Sequence, residues 1–392
     1  MNKLAILGAS YLQVPLIKKA NEMGLETHVF AWEDGAVGKD LADCFYPISI
    51  LDTEAILEKC EKIGIHGITT IATDIAMPTV NYVANELNLV GNSLESTLLS
   101  TDKYEMRKAL SNKNIPCPKF SFYKANNFQN SENFSFPLIV KPTDRSGSRG
   151  VTKVNSVAET NSAILKALEN SIKGRVIVEE FIQGEREFSV ECISYEGKTY
   201  PLVVTDKVTT GAPYFCELEH HQPAQISDEL KSRIFDLTLK SLKSLGLKYG
   251  ASHTEIILDK NDKLFIVEIA GRMGGDCIGS HLVELSSGFD FLMATVDVAL
   301  NQFELSKYDN KPLNIYSGVY YIVPKIGVVT KIIDNSKNFK DVVYCESFVK
   351  RGDVVDAIVD GANKRSAIIV YSSKVPKPLD EPNKVLEIIT EK

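Results

Sequence analysis

The chain has 392 residues, of which 44% are hydrophobic, and its 51 acidic residues outnumber its 44 basic ones to give a net charge of −7. At about 150 residues per domain this length predicts roughly two to four domains, and the composition excludes a disordered or fibrous chain. The acidic balance argues against a nucleic-acid partner, because no basic face is available to release phosphate counterions, so small molecules are the expected partners.

The sequence predicts a cytoplasmic protein without a membrane anchor. Seven scattered cysteines form no CxxC pair, which is typical of reduced thiols and not of a disulfide framework or a structural zinc site. No apolar run approaches the roughly 18 residues of a membrane-spanning helix. The apolar stretch at 4–17 is interrupted by Gly8 and Pro15, so we interpret it as a strand, a turn and a helix and not as a signal peptide.

The first hundred residues alternate between predicted strands and helices. In chain order these are strand 3–7, helix 14–23, strand 27–32, helix 53–62, strand 68–71 and helix 79–87. Such alternation predicts a parallel sheet with right-handed crossovers. The turn at Gly8 is only a fragment of a dinucleotide-binding fingerprint, since GxGxxG is absent, so we do not assign NAD binding to it.

A second pattern, of short strands and turns, begins at Phe136. It follows a helix at 102–111 and a polar, Asn-rich segment at 119–135 that we interpret as a loop. The later predicted elements are strands 138–141 and 151–154, helix 158–167, strands 175–181, 187–194 and 200–208, helix 227–245, strands 252–258 and 264–269, helix 289–300, and strands 318–322, 327–333 and 365–371. A short helix is predicted to end the chain. This pattern indicates an antiparallel α+β module behind the α/β front.

The first candidate motif is a lysine that ends a buried strand, followed by a loop rich in glycine and serine. The lysine is Lys141, and the loop contains Ser146, Gly147, Ser148 and Gly150. Glycines let backbone N–H groups approach oxyanions closely, and the lysine adds a positive charge. The pattern is not a P-loop, because GK(S/T) is missing and a strand follows. A mobile hairpin tip with a solvated lysine explains this segment equally well.

Acidic residues interrupt a second apolar strand. Glu179 and Glu180 precede Phe181 and Ile182, and Glu187 follows shortly after. Such a strand offers alternate backbone donors and acceptors to the edge of an adenine, and Glu187 suits the hydroxyl groups of a ribose. The alternative, which this segment by itself favours, is a strand end with surface carboxylates.

The strongest candidate is a pair of glutamates on two strands joined by a short turn. Glu255 lies in the first strand and Glu268 in the second, so a hairpin would bring both to one end of a sheet. Two carboxylates among apolar residues are costly to bury unpaired, and Mg²⁺ holding nucleotide phosphates would compensate them. Arg272 follows, with a guanidinium suited to phosphate or to an acyl phosphate. The alternative is an acid pair neutralised by Arg272 alone.

A polar and aromatic segment follows the strand at 200–208. Its candidate residues are Thr209, Thr210, Gly211, Pro213, Glu217, His220 and His221. They suit a loop that binds a substrate. The alternative, favoured by this segment alone, is that the histidines are exposed and have no function.

The order of these motifs along the chain resembles that of the ATP-grasp superfamily of carboxylate–amine and carboxylate–thiol ligases. The resemblance implies an ATP-grasp fold of mixed α/β and α+β class. It implies a Rossmann-like parallel-sheet domain at 1–95, an ATP-grasp domain at 96–310 with a lid at about 118–185, and a small β-rich subdomain at 311–392 like that of biotin carboxylase.

The resemblance also implies roles for the site residues. ATP would be bound by Lys103, Lys141, Ser146, Gly147, Ser148, Gly150, Glu179, Glu180, Phe181, Ile182 and Glu187. Glu255 and Glu268 would hold Mg²⁺, for which Mn²⁺ would substitute. Lys141 and Arg272 would act in catalysis, the arginine by stabilising an acyl phosphate. One position departs from the family pattern, because Ala270 stands where an Asn usually provides a further magnesium contact.

Within the superfamily, the segments 209–213 and 271–276 resemble L-amino-acid ligases that form dipeptides. This implies a substrate site of Glu217, His220, Arg272, Gly275 and Asp276, in which Glu217 or Asp276 holds an ammonium group and His220 orients the nucleophile. The implied reaction forms ADP and joins a carboxylate to an amine, with amino acids as small-molecule substrates and a homodimer as the expected assembly.

Two other functions stay open at this point. One is a ligase that joins another carboxylate to ammonia or bicarbonate, as in purine and carbamoyl-phosphate synthesis. The other is a non-catalytic ATP-binding regulatory protein, which only Ala270 favours.

Overall fold

The computed structural model describes residues 1–130, 133–212, 215–308, 313–356 and 365–391. Pro213 therefore lies outside the described residues. Within them, the strands form one parallel sheet and three antiparallel sheets. No described helix has the length and hydropathy needed to cross a lipid bilayer.

The N-terminal part is a parallel sheet flanked by helices. Its elements are β1 (Lys3–Leu7), α1 (Val14–Glu22), β2 (Glu26–Phe30), β3 (Cys44–Tyr46), α2 (Thr53–Ile63), β4 (Gly67–Thr69) and α3 (Met77–Glu86). The strand order is β3-β2-β1-β4. Leu4 to Leu7 are fully buried, as expected for a strand covered on both faces. The predicted α/β front is confirmed, although the three half-buried residues of β3 carried no periodic signal.

A smaller antiparallel sheet follows. Its region contains α4 (Leu94–Thr101), α5 (Lys103–Asn112), β5 (Phe120–Tyr123), β6 (Leu138–Pro142), β7 (Thr152–Val154), α6 (Val157–Asn170) and β8 (Val176–Glu180). The strand order is β5-β8-β6-β7. The predicted loop at 119–135 is wrong for β5, because this strand pairs with β8 and buries Tyr123 in the core of the sheet.

The second half of the chain forms an eight-stranded sheet and a three-stranded one. The elements are β9 (Gly184–Tyr195), β10 (Lys198–Thr209), β11 (Glu217–Gln222), α7 (Asp228–Ser244), β12 (Gly250–Asp259), β13 (Leu264–Ala270), α8 (Val283–Ser287), α9 (Phe291–Ala299), β14 (Tyr316–Ile322), β15 (Gly327–Asp334), β16 (Val342–Ser347), β17 (Val354–Val355), β18 (Ala367–Ser373) and β19 (Leu386–Glu391). The strand orders are β13-β12-β9-β10-β11-β14-β18-β16 and β17-β15-β19. The predicted antiparallel α+β region is confirmed.

The predicted helix at the end of the chain is wrong. The last described residues form β19, which pairs with β15 so that Ile388 lies opposite Ile332. β-Branched side chains fit such a pleated, half-buried surface well, and the pairing partner decides the structure of so short a segment.

The eight-stranded sheet continues across the predicted boundary at 310/311, because β14 pairs with β11. Strands from both sides of this boundary therefore share one sheet. The limits 1–95, 96–310 and 311–392 stay predictions.

Candidate functional site

One face of the eight-stranded sheet carries a row of charged side chains. Glu255 lies directly opposite Glu268, and Lys207 lies between Glu187 on one neighbouring strand and His220 on the other. Residues paired across neighbouring strands point to the same face of a sheet. The sheet therefore brings predicted metal, nucleotide and substrate residues to one surface.

Each of the two predicted metal ligands accepts a hydrogen bond from a lysine. Lys103 Nζ lies 2.8 Å from Glu268 Oε1, and Lys207 Nζ lies 2.6 Å from Glu255 Oε1. The predicted hairpin is present, but lysines and not Arg272 neutralise its carboxylates. Lys207 did not emerge from the sequence, because a single lysine in a polar strand end is unremarkable there.

The two carboxylates have the chemistry that a magnesium site needs. Burial alone would raise the pKa of Glu255, but Lys207 and His253 hold it well below its ordinary value, so the group is ionised. Mg²⁺ is bound in proteins by one or two such carboxylates together with phosphate oxygens. Ala270, buried opposite His253, offers no ligand atom.

Lys141 belongs to a buried triad. Its Nζ lies 2.7 Å from Glu179 Oε2, and Arg107 Nε lies 2.8 Å from Glu179 Oε1. Burial lowers the pKa of Lys141 and Glu179 opposes this shift, whereas Arg107 and Lys141 together hold the pKa of Glu179 below its ordinary value against its own burial. Arg107 was missed, although it lies one helical turn after Lys103 on α5.

The loop rich in glycine and serine joins β6 to β7. Its predicted ATP-binding residues are Ser146, Gly147, Ser148 and Gly150. The φ angles of the last three are 67°, 56° and 71°, in the left-handed region that favours glycine. A Cβ added at Gly147 would meet no atom within 4 Å, so the space beside this turn is open. Lys103 Nζ donates to the Arg145 carbonyl at 2.7 Å and ties the loop to α5.

Glu180, Phe181 and Ile182 lie at the end of β8. The amides of Glu180 and Phe181 donate to the carbonyl oxygens of Lys119 at 2.9 Å and Pro137 at 3.0 Å. These two amides are therefore not available to a ligand, so an adenine contact through an amide at this point would rest on Ile182.

Glu187 is half-buried on β9 opposite Lys207. Burial raises the pKa of its carboxyl, and Lys207 opposes that shift. The predicted ribose residue thus shares the charged face with the metal and substrate residues.

Arg272 follows β13 and reaches into the N-terminal part of the chain. Its Nη2 lies 2.8 Å from Asp74 Oδ2, and its Nη1 donates to the Met273 carbonyl at 3.1 Å. Burial alone would lower the pKa of Arg272, but Asp74 raises it, so the guanidinium stays charged. The structure thus fixes the predicted catalytic arginine through an acid that the sequence analysis did not identify.

A histidine–glutamate pair supports the turn after Arg272. His253 Nδ1 is hydrogen-bonded to Glu191 Oε1, and the Gly274 amide donates to Glu191 Oε2 at 2.9 Å. Burial alone would lower the pKa of His253, but Glu191 raises it to about 9. Both residues were missed, although His253 lies two positions before Glu255 and so shares its face of β12.

Glu217, His220 and Asp276 meet at one end of the charged row. One ligand atom of each lies within 4.8 Å of the others. Glu217 and His220 lie on β11 and not in a loop, and His220 is fully buried. Exposed, idle histidines are therefore not what the structure contains. Neither ring nitrogen of His220 has a hydrogen-bond partner among the described residues. Gly275 lies beside this cluster in the same turn as Asp276.

Two cations that the sequence analysis missed flank this cluster. Lys207 Nζ lies 2.7 Å from Glu217 Oε1. Arg365 donates to both carboxylate oxygens of Asp276, at 2.6 and 2.7 Å, and its guanidinium lies 3.7 Å from the centre of the Tyr321 ring. The 89 positions between Arg365 and Asp276 explain why no spacing signal revealed the pair.

Comparison with known proteins identifies relatives of this chain. Residues 134–280 match the family profile of the ATP-grasp domain. Alanine–anticapsin ligase of Bacillus subtilis is 28% identical over 272 residues, which cover 60% of this chain and 57% of that protein. D-alanine–D-alanine ligase of Thermosipho africanus is 27% identical over 244 residues, which cover 58% and 64%. These alignments thus span less than two thirds of each relative.

Among solved structures, L-amino acid ligase from Bacillus licheniformis superposes with a TM-score of 0.86 at 23% identity, covering 100% of this chain and 99% of that one. At this identity the likeness shows the fold. It confirms the ATP-grasp fold that the order of the motifs predicted.

Proposed function

This chain belongs to the ATP-grasp family, and we propose that it is an ADP-forming ligase that joins the carboxylate of one amino acid to the amine of another through an acyl phosphate. The single observation that carries the proposal is the row on the eight-stranded sheet. A lysine-rich glutamate pair lies directly beside a carboxylate–histidine cluster that suits an amino-acid ammonium. Relatives named as amino-acid ligases support the same substrate class.

Lys103, Lys141 and the backbone of residues 146–150 would hold the phosphates of ATP, and Glu255 and Glu268 would hold Mg²⁺. When bound, Mg-ATP supplies the phosphoryl group that activates the carboxylate. The charges match this role. A metal ion arriving at the glutamates with a polyphosphate leaves Lys103 and Lys207 free to pair with phosphate oxygens.

The remaining chemistry falls to groups on both sides of the row. Glu179 holds the Lys141 ammonium beside the glycine loop, and Asp74 holds the Arg272 guanidinium near the turn at 274–276. Preorganised positive charge of this kind stabilises charge that develops during transfer, without reorganisation at the moment of reaction. Closure of the glycine loop would exclude the water that hydrolyses an acyl phosphate.

Replacing Glu268 or Glu255 by glutamine tests the metal site. Each change removes a charged oxygen ligand, so we expect Mn²⁺ affinity in the presence of ADP to fall at least roughly tenfold. Calorimetry or electron paramagnetic resonance of Mn²⁺ measures this without turnover. Glu58→Gln, at an exposed position paired only with Lys62, is the matched control. Unchanged Mn²⁺ affinity in both site variants would remove the metal-ligand role.

The reaction itself is tested by phosphate release from Mg-ATP across a panel of amino acids, offered singly and in pairs. We expect phosphate only with particular pairs, together with a condensed product detected by mass spectrometry. If no pair releases phosphate while ATP still protects the protein against heat, the amino-acid proposal fails. Carboxylates with ammonia or bicarbonate are then tested, followed by the binding-only function that Ala270 favours.

A further inference from the structure

We propose that the Asp276–Arg365 ion pair determines substrate selectivity, so that the cluster accepts an amino acid with an uncharged side chain and Glu217, not Asp276, receives its ammonium group. This inference rests on the proposed function and specifies the substrate class within it.

The first step is that Asp276 is already fully engaged. Both of its carboxylate oxygens accept hydrogen bonds from Arg365, whose side chain is only 3% exposed. Two-point pairing between a guanidinium and a carboxylate combines strength with a defined orientation. The Tyr321 hydroxyl donates to the Asp276 carbonyl at 3.0 Å and the Tyr321 ring supports the guanidinium, so both partners are held in place.

The second step is that Glu217 keeps one oxygen for a ligand. Its Oε1 accepts from Lys207, whereas its Oε2 lies 3.7 Å from His220 Nε2 and 4.0 Å from Arg365 Nη1, both beyond hydrogen-bond distance. An ammonium group carries three donors. It fits between Glu217 Oε2 and the buried His220 ring, whose nitrogens have no hydrogen-bond partner among the described residues.

The third step concerns the side chain of the substrate. An acidic side chain entering this cluster would meet the carboxylates of Glu217 and Asp276, and a basic one would meet Arg365 and Lys207. Like charges brought together in a buried site are strongly unfavourable, and such repulsion is an effective means of rejecting the wrong ligand. The closed ion pair therefore presents a polar wall that rejects either charge.

The test exchanges the two charges separately. Asp276→Asn leaves Arg365 without this carboxylate, so we expect the ratio of kcat/KM for aspartate to that for alanine to rise about tenfold or more. Arg365→Met leaves the Asp276 carboxylate without this guanidinium, and the same ratio for lysine to alanine should rise to a similar extent. Binding of each amino acid, measured by calorimetry with a non-hydrolysable ATP analogue, provides a readout that does not depend on turnover.

Two further variants keep the test decisive. The double variant Asp276→Asn/Arg365→Met removes both charges, so it should again prefer uncharged side chains. The matched control, Arg233→Met/Asp262→Asn, removes an Arg–Asp pair on the exposed surface with the same 2.7 Å contact and should change no preference.

The outcomes separate this inference from the proposed function. If the unaltered protein neither binds nor uses amino acids, the proposed function fails and this inference fails with it. If the unaltered protein uses uncharged amino acids but neither single variant changes the order of preference, only this inference is overturned. A preference of the unaltered protein for acidic or basic side chains also overturns it.

Discussion

Arg272→Lys is expected to lower kcat roughly 100- to 1,000-fold while the affinity for ATP changes less than about threefold. Lysine keeps a positive charge opposite Asp74, so the buried carboxylate is not abandoned, but it lacks the planar two-point donor that suits an acyl phosphate. Steady-state phosphate release gives kcat, and calorimetry with ATP gives the affinity.

The control for this change is Arg233→Lys, at the exposed pair with Asp262. It should leave both quantities unchanged. An equal loss of ATP affinity in Arg272→Lys would reassign the residue to nucleotide binding. An unchanged kcat would show that the guanidinium takes no part in the transfer.

Glu179→Gln is expected to lower the free energy of unfolding by about 3–5 kcal/mol. The change leaves the buried cations Lys141 and Arg107 next to each other without their shared carboxylate. The pKa of Glu179 lies below its ordinary value in the folded protein, so its contribution to stability is present above that ordinary value and is lost on acidification. Urea denaturation followed by circular dichroism measures the effect at neutral and at acidic pH.

Glu58→Gln supplies the comparison, because both partners of its ion pair with Lys62 are about two-thirds exposed. Exposed pairs of this kind contribute only about 0–1 kcal/mol. Equal, small losses of stability in the two glutamine variants would mean that the Glu179 triad does not stabilise the fold. We also expect weaker ATP binding in Glu179→Gln alone, since Lys141 would lose the group that positions it.

The predicted nucleotide residues show where sequence reasoning was useful and where it was incomplete. Lys141 and Glu179 were both selected from the chain, but their direct contact and the role of Arg107 were not. Glu179 was expected to face a nucleotide, whereas its side chain is buried between two cations. Its proposed contribution to ATP binding is therefore to hold Lys141 in place.

Local sequence by itself determined the parallel N-terminal sheet and the Glu255–Glu268 hairpin. Alternating apolar strands and helices are encoded within about ten residues, and a four-residue turn between two apolar strands leaves few other pairings. The order of the motifs was sufficient to predict the ATP-grasp fold for the same reason, since each motif lies at the end of an element that its neighbours in sequence define.

Tertiary structure alone decided how the site is wired. Arg272 meets Asp74 across 198 positions and Lys103 meets Glu268 across 165, and the terminal segment became β19 because β15 lies beside it. His220 is buried by strands from elsewhere in the sheet, although its neighbours in sequence are polar. Such outcomes depend on which distant elements pack together, and charge partners chosen by packing leave no periodic trace along the chain.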